Sequence, residues 1–110
     1  MKAEAKDKDA LRITGQVRSR RGMVYELRCR GSRLTVCIAE RTNAFDPGNW
    51  RVDAWTGTLT DGSVISEWGA TKVVALSAVG RFWVEHAPER GLPSFDWESI
   101  AKALAEVRAL

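Results

Sequence analysis

The chain is poor in the side chains that do most enzyme chemistry. It has one histidine and two cysteines in 110 residues. His86 has no second histidine and no flanking cysteine to complete a metal centre. Cys29 and Cys37 are too few for a disulfide scaffold. The expectation is a reducing, cytoplasmic setting with no cofactor and no metal. The nine glycines build no phosphate loop. Trp68-Gly69-Ala70-Thr71 has too few glycines and lacks the lysine spacing that such a loop needs. There is no Gly-x-Ser-x-Gly elbow, and no carboxylate pair stands out as an acid–base dyad. These absences predict a protein that is not an enzyme. No apolar run approaches the roughly 18 residues of a membrane span. The apolar run from Val73 to Gly80 is closed off by Lys72 and Arg81, so no membrane partner is expected. The opening MKAEAKDKDA alternates charge and has no apolar segment of the signal-peptide kind. It reads as a disordered tail over residues 1–10, ahead of a single domain over 11–110.

Acid is scarce in the front of the chain. Residues 10–41 hold eight arginines against Glu26 and Glu40, whereas residues 42–110 hold six basic and nine acidic side chains. The overall net charge of +3 hides this division. A basic front and an acidic back suit an anionic partner or charge-complementary self-association.

Two periodicities organise the apolar residues. Leu11, Ile13, Gly15 and Val17 alternate with polar neighbours, as do Met23, Tyr25, Leu27 and Cys29, and then Leu34, Val36 and Ile38. Period two marks strands with one buried face. A three-residue loop, Arg20-Arg21-Gly22, pairs Val17 with Tyr25 and puts both apolar sets on one face. A two-residue turn at Gly31-Ser32 pairs Cys29 with Leu34. It sends Cys29 and Cys37 to opposite faces, so they cannot form a disulfide with each other. Trp50, Val52 and Ala54 define a fourth strand. Asp61-Gly62 is a hairpin turn leading to a fifth near Val64 to Trp68.

Helical spacing then takes over. From Trp68 to Ala87, Val73, Leu76, Gly80 and Trp83 form one row and Val74, Ala78 and Phe82 another. Thr71 or Ser66 can cap this helix, and Pro88 is expected to stop it by Ala87. Asp96 caps a last helix with the stripe Trp97, Ile100, Ala101, Leu104 and Val107. The predicted fold class is α+β: an antiparallel β-meander of four to five strands, then two C-terminal helices packed on one sheet face. At the level of fold only, this order is similar to single-stranded nucleic-acid-binding modules built from curved meanders, and fold does not give function.

The predicted register places one set of side chains on the sheet face away from the helices. Arg12, Thr14, Gln16 and Arg18 come from the first strand, Arg28 and Arg30 from the second, and Arg33 and Cys37 from the third. Arg51 and Trp55 come from the fourth. Arginines can track phosphates while an exposed ring stacks a base, so this face is a candidate for single-stranded nucleic acid. Cys37 falls there too, where Arg28 or Arg33 would lower its pKa. Of five tryptophans, Trp55 and Trp68 are the candidate surface anchors, while Trp83 and Trp97 lie in helical core stripes. Taken together, the sequence points first to a small interaction domain with a protein partner or a second copy of itself. Nucleic-acid binding through the arginine face is the alternative.

Overall fold

The computed structural model describes residues 11–29, 31–41, 49–57 and 64–107. Five strands run in sequence as β1 (Arg12–Ser19), β2 (Gly22–Cys29), β3 (Ser32–Arg41), β4 (Asn49–Trp55) and β5 (Ile65–Gly69). They form one antiparallel sheet in the order β1-β2-β3-β4-β5. Two helices follow, α1 (Lys72–Arg90) and α2 (Trp97–Glu106). The fold is α+β, with the helices on one side of an open sheet. The expected tail over residues 1–10 and the Asp61-Gly62 turn lie outside the described residues.

The core is continuous from sheet to helices. Tyr25, Leu27, Leu34, Val36, Val52 and Ile65 are buried from the strands, and Leu76, Val79, Trp83, Ile100 and Leu104 from the helices. Burying each large apolar side chain contributes roughly 1.5–3 kcal/mol relative to leaving it in water. Trp83 is the hub on the helical side. Its ring centroid lies 5.6 Å from that of Phe95 and 5.5 Å from that of Trp97, and its indole N–H donates to the Pro93 carbonyl at 2.9 Å. Lys72 Nζ donates to the Val107 carbonyl at 3.3 Å, tying the start of α1 to the end of α2.

The first hairpin differs from the expected register. Ser19 pairs with Gly22, so the loop is Arg20-Arg21, and Val17 sits opposite Val24 rather than Tyr25. Ser19 holds this turn: its hydroxyl accepts from the Arg21 N–H at 3.2 Å and donates to the Gly22 carbonyl at 3.0 Å. Gly22 is needed for close approach, not for loop closure. Its φ is +138°, and a Cβ there would lie 2.3 Å from the Ile38 carbonyl oxygen. The odd shift moves Val17 to the face away from the helices, where it is 64% exposed. A bulge between Ile13 and Gly15 then restores the parity, leaving Ile13 opposite Leu27 and Arg12 opposite Arg28.

The second hairpin is also shifted, by an even step. Cys29 pairs with Ser32 and Leu27 with Leu34. An even shift keeps every side chain on its predicted face, which is why alternation could not detect it. Cys29 and Cys37 accordingly lie on opposite faces and form no disulfide with each other.

Helix α1 departs from expectation at both ends and in its stripe. Thr71 is the cap, accepting from the Val74 N–H at 3.1 Å. The helix runs through Pro88 to Arg90 and ends at left-handed Gly91. Pro88 removes one N–H bond in the final turn, and because Val84 and Pro88 are both exposed that carbonyl lies on the wet side. The buried residues are Ala75, Leu76, Val79, Gly80, Trp83 and Ala87, whereas Val73 and Val74 are exposed. The small residues Ala75 and Gly80 are what allow neighbours to approach. A Cβ on Gly80 would meet the Trp97 Cβ at 2.9 Å. Helix α2 agrees with its predicted stripe, and Asp96 accepts from the Ser99 N–H at 3.2 Å as its cap.

Candidate functional site

Cross-strand pairing sorts the open face into rows that run across the strands. The first row is Arg12–Arg28–Arg33 and the second is Gly15–Glu26–Thr35–Trp55. The third is Val17–Val24–Cys37–Asp53–Ser66, and the fourth includes Ala39–Arg51–Trp68. Successive rows lie about 6.6 Å apart, two strand residues at a time.

Five of the seven candidate residues share this face: Arg12, Arg28, Arg33, Arg51 and Trp55. Arg18 does not. It pairs with Met23 on the helix-facing side, as Gln16 does with Tyr25, because of the odd shift in the first hairpin. The Arg18 charge accordingly acts on the buried Tyr25 hydroxyl, whose pKa burial raises and Arg18 partly lowers. Arg30 lies outside the described residues. Trp68, read from the sequence as a candidate surface anchor, is on the open face and 47% exposed. The Arg51 guanidinium lies over its ring, 5.6 Å from the centroid.

The arginine row is electrostatically unfavourable on its own. Arg28 is the direct partner of both Arg12 and Arg33. Directly opposed side chains stand about 4.5–5.5 Å apart at Cβ, and like charges so placed destabilise a sheet. Glu26 offsets little of this, lying 4.0 Å from Arg33 with both side chains exposed.

The second to fourth rows enclose a depression of about 650 Å³ walled by Val24, Cys37, Trp55 and Val64. Its polar side is a fixed triad. Asp53 Oδ1 accepts from Arg51 Nε at 3.1 Å and from the Ser66 hydroxyl. Arg21, at the first hairpin tip, reaches the rim. Cys37 is on the predicted face but buried, at 4% exposure. Burial pushes its thiol above the ordinary range and the Asp53 charge pushes it further, against the opposing pull of Arg21 and Arg51. The expected lowering by Arg28 or Arg33 is therefore overturned: those arginines stand two rows away, and Cys37 stays protonated at neutral pH.

No family model, curated protein or solved structure matches the chain. Function therefore rests on the geometry of this face and on the helices behind it. There, His86 packs against the Phe82 ring at 4.1 Å, with Glu89 at 3.8 Å and Glu85 at 3.9 Å. Among the described residues no group of three ligating side chains gathers around it. None of the described helices is long and apolar enough to cross a membrane.

Proposed function

We propose that the open sheet face binds single-stranded nucleic acid. The observation that carries this reading is the Arg12–Arg28–Arg33 row, three directly opposed cations beside a face that also bears Trp55 and Trp68. A row that costs stability in the free protein is relieved when phosphates lie along it. Trp55 on the second row and Trp68 on the fourth supply rings on which any base can stack. A duplex is a poorer fit, because its stacked bases are unavailable to the tryptophans.

The test is fluorescence anisotropy with a labelled 12-nucleotide single strand. Affinity should fall steeply between 50 and 200 mM salt, as counterion release requires. Arg28→Glu with Arg33→Glu should abolish binding. Arg28→Gln should weaken binding yet raise the thermal midpoint at low ionic strength, since it removes the centre of the row. Flat anisotropy at low salt, or binding indifferent to salt, refutes the proposal.

A second reading, self-association, is favoured by the outer side of the helices. Val73 and Val84 are exposed beside a groove of about 970 Å³ between α1 and α2. Arg81 and Glu85 line it one turn apart, so a second copy related by a two-fold axis would match each arginine with a glutamate. Sedimentation should show a dimer that Arg81→Glu dissociates and that Arg81→Glu with Glu85→Arg restores. A monomer at high concentration, or no restoration, rules this out.

A further inference from the structure

The depression behind Trp55 has features that a non-specific phosphate-tracking face does not need. We propose that it is a base pocket that takes a base with an exocyclic amino group and disfavours thymine and uracil. This rests on the open face binding single strands.

The geometry is that of a ligand site: a mostly apolar concavity with a few convergent polar groups. Val24 and Cys37 line it, and Trp55 lies beside them for stacking. Asp53 is held rigidly within it, its side chain only 15% exposed. Arg51 and Ser66 both occupy Oδ1, so they fix the carboxylate and leave Oδ2 as an acceptor. Neither partner is needed to keep the sheet together, since both are side chains on the solvent face. Asp53 itself lines the depression, which places this fixed carboxylate at its wall.

A carboxylate in that position discriminates by the direction of the hydrogen bond. The amino group of cytosine, adenine or guanine can donate to Oδ2. Thymine and uracil present a carbonyl oxygen at the equivalent place, and two acceptors repel. The Arg51 guanidinium is beside Asp53, and Arg21 stands at the rim. Either can donate to the ring nitrogen or carbonyl that flanks the amino group. A cytosine edge, donor followed by acceptors, meets carboxylate followed by guanidinium. Row spacing makes this compatible with the phosphate contacts. The pocket row is two rows from Arg28, about 13 Å, leaving room for backbone between them.

The experiment compares labelled dC12 with dT12 by anisotropy at low salt, using the full chain. The expected result is dC12 binding about fivefold or more tightly, the low end of what one specific base contact supplies. Asp53→Asn should bring the ratio towards one, weakening dC12 and strengthening dT12, because an amide can turn its NH2 towards a thymine carbonyl. Circular dichroism checks that this variant folds. Should it not, Val64→Phe at the pocket wall narrows the space from a less buried position and should also abolish the ratio. Equal, salt-sensitive affinity for dC12 and dT12 overturns the pocket and leaves the face reading standing. A preference that survives in a folded variant overturns it too, since stacking alone would then explain it. Absence of binding to either strand at low salt overturns the face reading and the pocket with it.

Discussion

Cys37 shows how depth, not only facing, sets a residue's chemistry. Alternation placed it on the face away from the helices, and it is there, paired with Val24. Its surroundings nevertheless bury it, through the flanking Val24, Asp53 and Trp55 that wall the depression. The buried thiol therefore titrates above its ordinary range, and so does the Tyr25 hydroxyl. For both groups the folded state holds the proton more tightly than the unfolded state. Their contribution is complete below the unfolded pKa, about 8.5 for a thiol and 10 for a phenol, and is lost as pH rises beyond those values. Urea midpoints should hold steady from pH 6 to 8 and then fall between pH 8.5 and 10.5. Cys37→Ala should remove the earlier part of that fall. A midpoint unchanged to pH 10.5 would contradict the buried environment of both groups. Trp97 offers a contrast at the same scale. It is buried like Trp83, but its indole N–H has no partner among the described residues, whereas that of Trp83 is satisfied by Pro93. Both were legible as core from helical spacing. The difference between them depends on where a loop carbonyl falls, which spacing does not encode.

Helix α1 is the element whose pattern was least faithful to its packing. The sequence offers more apolar residues than one face can use, and larger ones lose. Val73 and Val74 are exposed while Ala75 and Gly80 are buried, because helix and sheet, and helix and helix, approach most closely over small side chains. Gly80 lies against Trp97 at that closest approach. Gly80→Ala would return about 0.5–1 kcal/mol of helix propensity. The added methyl must displace the root of a packed tryptophan, an overpacking cost of about 1–3 kcal/mol. The net expectation is a loss of about 1 kcal/mol by chemical denaturation, and a gain in stability would mean the helices separate easily. Among the strands, β2, β3 and β4 kept their predicted faces, and β1 did so only before its bulge, at Arg12 and Ile13. The three central strands are anchored by a buried face under the helices. β1 is an edge strand beyond the reach of α1, which packs on β4 and β5. Its side chains carry little burial energy, so the Ser19 turn and the bulge decide its register instead.

At the scale of the molecule, the two layers divide the work. The helices cover the sheet face lined by Tyr25, Leu27, Val36 and Val52, and this leaves the other face to solvent. The basic front of the chain supplies most of that open face, with Arg12, Arg28 and Arg33 on it, while the helical layer is close to neutral, with Lys72, Arg81, Arg90 and Lys102 against Glu85, Glu89, Glu98 and Glu106. The charge division noted in the sequence thus becomes a concentration of positive charge on the sheet. The chain by itself determined the order of elements, the cap at Asp96, the faces of the central strands and the presence of Trp55 and Arg51 outside, and it left Thr71 and Ser66 as alternatives for the cap of α1. These follow from periodicity and local hydrogen bonding, which involve near neighbours along the chain. Only the tertiary structure decided that Arg12, Arg28 and Arg33 form one row, that Arg18 faces the other way, that Arg51 lies over Trp68, and that Asp53, Ser66 and Cys37 meet in a pocket. Those are relations between strands, and they depend on the registers of all four strand pairs and on the bulge in β1. A shift of one residue would have dispersed them all.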